Sequence, residues 1–348
     1  MTDTGIYQAL ALQVGCAAVN RCQDRAGARQ RMLETITRLR AQIRASKAFI
    51  GPHLRLVVLP EYFLTGFPMG ESIAAWADKA ALEMTGPEYE ALSALSADNG
   101  IYLSGNAYEL DDHFPGLYFQ TSFIIAPNGN VELRYRRLIS MFAPTPHDVL
   151  DRYLDIYGLD GLFPVLDTPL GRLAAVASEE ILYPELTRAF ALRGAELICH
   201  SSSEVGSPLP TPKNIAKQAR AYENHVYVVS ANSAGINDID IPAASTDGGS
   251  KVVDFHGQVL AEASPGESMV ANAEIDIGAL RHYRRRPGMG NLLSRQRLEL
   301  FTGLYAGSVY PANTLLNADG AIRIPDRQHF LQTQAGTIAA LLERGIIR

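Results

Sequence analysis

The segment that decides the fold runs from the middle of the chain: Arg172-Leu-Ala-Ala-Val-Ala-Ser178-Glu179-Glu180-Ile-Leu-Tyr183-Pro184-Glu185-Leu-Thr-Arg188-Ala-Phe-Ala-Leu-Arg193-Gly194-Ala-Glu-Leu-Ile-Cys199-His200. Arg172–Ala177 is an apolar run of strand length, Leu186–Arg193 is helical after the Pro184-Glu185 opening, and Leu197–His200 is a second apolar strand. Outward from this unit the same alternation recurs. Ala9–Ala18 reads as a first buried strand. Met32, Ile36, Leu39 and Ile43 repeat at helical spacing and predict an amphipathic helix over Arg29–Ser46. Leu54–Pro60 and Ile101–Gly105 read as strands, with a helix over Pro87–Asn99 that Gly100 stops. Thr121–Ala126 and Val131–Arg137 flank Pro127-Asn-Gly-Asn130, a hairpin turn. Val226–Ala231, Lys251–Phe255 and Val259–Ala263 complete the strands, Lys213–Asn224 is a further helix, and Thr333–Arg344 is a closing one. Buried strands with intervening helices imply a layered α/β domain.

Composition bounds what such a domain does. The chain has 348 residues, 47% of them hydrophobic and 20% charged, with a net charge of −6. This is globular composition, and the negative balance argues against nucleic acid as a partner. The densest basic run, Arg281-His-Tyr-Arg284-Arg285-Arg286, reads as a solvated connection between elements or, as the minor alternative, a polyanion site. No apolar run is long enough to span a bilayer, and no basic-then-apolar leader opens the chain. Three cysteines (Cys16, Cys22 and Cys199) fit a reducing compartment without a disulfide framework, so a cytoplasmic location is expected. No Cys/His cluster proposes a metal and no glycine-rich phosphate loop proposes a nucleotide, so no cofactor is expected.

Three further stretches carry candidate chemistry. In Leu56-Val-Val-Leu-Pro60-Glu61-Tyr62-Phe63-Leu-Thr65-Gly66, Glu61 stands at the C-terminal end of a buried strand, where α/β folds gather their reactive groups. By itself it could equally be a helix N-terminal acid. The hairpin strand ends Arg134-Tyr135-Arg136-Arg137, with Arg137 either turned into a site or a surface cation on an edge strand. The acidic loop Pro146-His-Asp148-Val-Leu-Asp151-Arg-Tyr-Leu-Asp-Ile-Tyr-Gly158 offers Asp151 and Asp148, or is simply solvated. His147 and His200 are the histidines that could serve Ser178. Cys199 reads as a buried core thiol before it reads as a nucleophile.

Together these segments resemble the nitrilase, or carbon–nitrogen hydrolase, superfamily over about Ala9 to Tyr305. The Arg220-Ala-Tyr-Glu223-Asn224 passage is also similar to that family's helix-into-strand transition. The resemblance implies an α-β-β-α sandwich that pairs into a homodimer or higher oligomer. It places a carbon–nitrogen hydrolase-like domain over residues 1–305 and leaves 306–348 as an extension that could contact a neighbouring subunit. It implies that Glu61 is the general base. Arg137 stands where the family has the lysine that stabilises the oxyanion, and Ser178 where it has the nucleophilic cysteine. Asp151 is the best match to a second, substrate-positioning carboxylate, one methylene shorter than the family's glutamate. Tyr62, Glu179 and Ser202 complete the residues expected to contact substrate.

Both replacements change the chemistry. A thiol loses its proton readily, whereas a serine hydroxyl is a far weaker acid that needs a well-placed base. Arginine supplies charge and donors but shuttles no proton. Two functions are therefore carried forward. One is an enzyme acting on a small amide, nitrile or carbamoyl-type substrate through an altered Glu61–Arg137–Ser178 site. The other is an inactive relative that binds a ligand or a partner subunit. A pocket that retains Glu61, Arg137 and Asp151 favours the first, because decayed sites shed unpaired buried charge.

Overall fold

The computed structural model describes residues 5–207 and 209–348. In chain order the elements are β1 (Ile6–Ala11), β2 (Cys16–Ala17), α1 (Arg25–Ile50), β3 (Leu54–Val58), α2 (Ile73–Ala80), α3 (Pro87–Asn99), β4 (Tyr102–Leu110), β5 (Tyr118–Ile125), β6 (Val131–Arg136) and α4 (Leu150–Leu162). There follow β7 (Leu166–Thr168), β8 (Gly171–Ala177), α5 (Pro184–Leu192), β9 (Leu197–Ser201), α6 (Pro212–Asn224), β10 (Tyr227–Ala231), β11 (Ile236–Asn237), β12 (Lys251–Val253), β13 (Val259–Glu262), β14 (Asn272–Asp276), α7 (Ile277–Arg285), α8 (Thr302–Tyr305) and α9 (Arg327–Glu343).

Two six-stranded sheets, ordered β14-β1-β3-β4-β5-β6 and β13-β12-β10-β9-β8-β7, share one plan. Their centres are parallel (β1, β3 and β4 in one; β8, β9 and β10 in the other) and their edges antiparallel. Strand periodicity then builds the layers. Tyr7, Ala9 and Ala11 of β1 and Leu56 and Val58 of β3 enter one core with Leu173, Ala175, Leu197 and Val228 of the other sheet. Leu10 and Val57, pointing the opposite way, enter a second core with Ile36, Leu39 and Ile43 of α1 and Leu92 and Leu95 of α3. With α5 and α6 against the second sheet, the result is the expected four-layer α-β-β-α sandwich. Each fully buried Leu or Ile of the α1 stripe stabilises this arrangement by about 1.5–3 kcal/mol.

The structure adds α2, β7, β11 and β14 to the elements read from sequence and changes three of those read. Ala9–Ala18 is not one strand: β1 ends at Ala11 and Cys16–Ala17 pairs with β11 in a separate two-stranded ribbon. The intervening residues are buried without being in a ladder. The Gln13 amide, for example, donates to the carbonyls of Ser264 and Gly266. The stretch from Pro146 is not a loop. A 3₁₀ turn over Pro146–Val149 leads into α4, because the Asp148 carboxylate accepts from the Thr145 N–H at 2.9 Å and hydroxyl at 2.7 Å, and Tyr153 and Leu162 are buried. A Thr-Pro-x-Asp start is a helix signal of its own. The closing helix begins at Arg327, capped by Asp326, a turn and a half before the expected Thr333.

Candidate active site

Parallel strands of both sheets end at one edge, and the candidate residues stand just beyond those ends. Glu61 follows β3, Ser178 follows β8 and Ser202 follows β9. The sheets are tied together there: the Glu61 N–H donates to the Ser202 carbonyl at 3.1 Å, and the Ser201 hydroxyl to the Leu59 carbonyl at 2.8 Å. These bonds are why two strands of opposite sheets deliver their C-terminal residues to one place.

The Glu61 side chain has no solvent exposure. Its Oε1 accepts from Gln120 Nε2 at 2.5 Å and from an Arg137 amino group at 3.4 Å. Its Oε2 is buried with no partner. A buried carboxylate oxygen left without a partner is costly unless another group fills its hydrogen-bonding site.

Arg137 is not a surface cation; it is 5% exposed. Its Nε donates to the Ile139 carbonyl at 2.7 Å. One amino group reaches Gln120 Oε1 at 2.7 Å and Glu61, and the other is ion-paired with Glu179. Burial opposes its charge, but Glu61, Tyr62 and Glu179 outweigh that and push its pKa up. Arg137 is thus a clamp between two carboxylates, and most of its donors are occupied.

Ser178 sits at φ 52°, in the left-handed region that an L-residue occupies at a cost of about 1–2 kcal/mol. Three groups hold the strained elbow. Glu180, just inside it, accepts from the Tyr135 hydroxyl at 2.6 Å and from the N–H groups of Leu138 (2.8 Å) and Ala177 (3.3 Å). That bond set ties the end of β6 to the turn after β8. Burial pushes the Glu180 carboxyl up to about 7, against the pull of Arg137 and these donors. His200 Nε2 lies 2.9 Å from the Ser178 carbonyl and its Nδ1 2.9 Å from the Ser230 hydroxyl. Burial first, then Lys217, hold that imidazole well below its usual pKa, so it is neutral, with Nε2–H donating to Ser178 and Nδ1 accepting from Ser230. Arg220 donates to the carbonyls of Ile181 and Leu182, both at 3.1 Å. The Ser178 hydroxyl itself accepts from Lys213 Nζ at 3.2 Å.

The remaining candidates divide. Tyr62, also at positive φ (61°), stacks on Tyr108; burial and the Glu61 charge raise its phenol. Ser202 is buried with its hydroxyl unpartnered. Glu179 is joined to the site through Arg137. Asp151 is exposed in the first turn of α4, its N–H bonded to Asn313, and no hydrogen bond or ion pair joins it to Glu61, Arg137 or Ser178 among the described residues. Asp148 is buried, but as the cap of its own turn and the acceptor of the Thr314 hydroxyl at 2.7 Å. His147 packs toward Tyr310. Of the two histidines, only His200 touches Ser178, and it does so at the carbonyl. Burial pushes the Cys199 thiol up to about 12, which makes it core. The basic run at 281–286 divides: Arg281 forks onto Glu196 and Arg284 donates to the Ala195 and His225 carbonyls, while Arg285 and Arg286 are exposed. Gln120 and Lys213 were not singled out by sequence. Gln120 lies in the middle of an apolar strand, where a lone buried amide is the only signal. Lys213 sits at a helix start that no motif marks.

Comparison with known proteins bears on this arrangement. Residues 11–285 match the profile of the carbon-nitrogen hydrolase family. The omega-amidase NIT2-A of Xenopus laevis is 26% identical over 232 residues, covering 67% of this chain and 80% of that protein. The formamidase of Bradyrhizobium diazoefficiens is 26% identical over 238 residues, covering 68% of this chain and 64% of that enzyme. Among solved structures, the carbon-nitrogen hydrolase of Helicobacter pylori G27 superposes with a TM-score of 0.63 at 19% identity, over 87% of this chain and 99% of its own. Saccharomyces cerevisiae Nit3, of the nitrilase superfamily, gives 0.60 at 21%, over 80% and 93%. With the profile spanning most of the sandwich and nitrilase-superfamily structures sharing its layers, this chain belongs to the carbon-nitrogen hydrolase family.

Proposed function

We propose that the protein hydrolyses the carbon–nitrogen bond of a small amide, nitrile or carbamoyl-type molecule at a site built from Glu61, Arg137 and Ser178. The reading rests on one observation above the others: Glu61 Oε2 is buried and unpartnered, and Arg137 joins that carboxylate to Glu179, the residue after the left-handed Ser178. A fold that keeps an open buried carboxylate and a left-handed serine pays for both in stability, and active sites are where such costs are retained. Glu61 acts as base toward the nucleophile or water. Arg137, anchored by Glu61, Gln120 and Glu179, fixes the carboxylates and offers its remaining donor to the substrate. Tyr62, Ser202 and Glu179 line the substrate; Asp151, matched to the family's second carboxylate by sequence, would have to reach it from the exposed first turn of α4. Amidase names among the relatives support the bond type; no cofactor is required for it. The reading includes a homo-oligomer whose extension over 306–348 contacts a neighbouring copy.

The test is ammonia release from a panel of aliphatic amides, nitriles and N-carbamoyl compounds by wild type, Ser178→Ala and Ser178→Cys. Turnover by wild type and its loss in Ser178→Ala is the expected result. Activity persisting in Ser178→Ala would assign Glu61 to a directly activated water instead. A silent wild type that gains activity as Ser178→Cys would make the protein an inactive binder.

A further inference from the structure

The polar partner of the Ser178 hydroxyl comes from a part of the chain outside every motif. Lys213 is the second residue of α6, and its Nζ stands 3.2 Å from Ser178 Oγ. The helix that carries it is fixed to the elbow. Thr211 caps its first turn by accepting from the Asn214 N–H at 3.2 Å. Two turns along, Arg220 grips the carbonyls of Ile181 and Leu182. One turn along, the wholly buried Lys217 is ion-paired with Glu204, which also accepts from Thr211. The cap, the grip and the buried pair set the position of Lys213 relative to Ser178.

Glu61, the base the resemblance implies, is bonded to Gln120 and Arg137 and makes no hydrogen bond to Ser178 among the described residues. The other basic groups near this serine are unsuited to take its proton. Arg137 is a guanidinium held between carboxylates and stays protonated. His200 is committed at both nitrogens, to the Ser178 carbonyl and to Ser230. Lys217 is closed off with Glu204. Lys213 has no carboxylate partner among the described residues. A lysine amine can both take and return a proton, and a serine–lysine pair is a known alternative to serine–histidine.

We propose that Lys213 is a catalytic residue, forming with Ser178 a dyad in which the lysine replaces Glu61 as the base toward the nucleophile. This rests on the hydrolase reading above. The neutral Lys213 amine accepts the Oγ proton as Oγ bonds to the substrate carbonyl carbon and the C=O pair moves onto oxygen. When that pair returns, the C–N bond breaks and the leaving nitrogen takes the proton from Lys213. Water then adds to the Ser178 ester, giving its proton to Nζ. As the C–Oγ bond breaks, that proton returns to Oγ, releasing the carboxylic acid and restoring the dyad.

The experiment follows acylation by p-nitrophenyl acetate, read as the mass gain of one acetyl group on the peptide containing Ser178. It compares wild type, Ser178→Ala, Lys213→Met, Lys213→Arg and Lys213→Ala with added ethylamine. Wild type is expected to be labelled and Ser178→Ala not. Lys213→Met and Lys213→Arg should be slower by about 10²–10⁴-fold, the usual range for losing a general base. Ethylamine should restore part of the rate to Lys213→Ala. Circular dichroism and thermal unfolding of each variant separate this from misfolding. Labelling of Lys213→Arg at the wild-type rate would overturn the dyad, leaving the lysine only its charge. So would an unlabelled Ser178 in wild type. In either case ammonia release by wild type decides separately whether the hydrolase reading stands.

Discussion

Ser178 carries two constraints that the chain satisfies with different atoms. Its backbone is left-handed, and its hydroxyl meets Lys213 Nζ. The backbone requirement predicts an outcome independent of chemistry. Ser178→Gly and Ser178→Ala both lose the hydroxyl, but only alanine keeps the Cβ that disfavours φ 52°. The glycine variant is therefore expected to be more stable than the alanine variant by about 1 kcal/mol, read from urea midpoints. Equal stabilities would mean the elbow relaxes. In sequence, Arg137 in place of the family's lysine is a change of chemistry, because a guanidinium shuttles no proton. In three dimensions it is a clamp whose neighbours, Gln120 and Glu179, decide what it can do.

Between elements, the decisive joint is the one from the end of β6 to the turn after β8, made by Glu180. Its carboxyl is raised from 4.5 to about 7 by burial. A group with a raised folded pKa binds its proton more tightly in the folded state. Stability is therefore full below about pH 4.5 and falls as pH rises toward 7. It stays lower above that, by on the order of 3 kcal/mol. Glu180→Gln, which cannot ionise, should flatten this slope while lowering stability throughout, since the amide meets the Ala177 N–H donor-to-donor. Urea unfolding at pH 5 and pH 8 checks it; an unchanged slope would show that Glu180 does not titrate in this window. Helix α6 is a second joint. Sequence marks its Arg220-Ala-Tyr-Glu-Asn passage, which grips the elbow, but not Lys213, twelve residues after β9 ends at Ser201.

For the whole molecule, the extension leaves much apolar surface uncovered. Among the residues of α9 only Phe330 is buried, while Leu331, Ile338 and Leu342 are exposed, as are Leu300, Leu304 and Tyr305 before it. Exposed apolar surface of this extent fits contact with another copy. Light scattering is expected to give a mass above one chain, and removal of 327–348 to lower it. A monomeric full-length protein would overturn that expectation. Among the described residues no helix is long and apolar enough to cross a membrane.

The sequence by itself determined, through its periodicity, a layered α/β domain, because alternating burial in strands and a 3.6-residue stripe in α1 are local consequences of where apolar side chains fall, while the α-β-β-α arrangement was legible only through the family resemblance. It also placed Glu61, Arg137 and Ser178 at strand ends, through motifs whose spacing is short. It misread 9–18, where burial comes without a ladder, and 146–158, where two polar caps start a helix inside an acidic stretch. What the tertiary structure alone decided is which group serves which. Hydrogen bonds such as Glu61 to Gln120, His200 to the Ser178 carbonyl and Lys213 to the Ser178 hydroxyl join residues separated by tens of positions. Their energy depends on tenths of an ångström between elements, and no spacing along a chain encodes that.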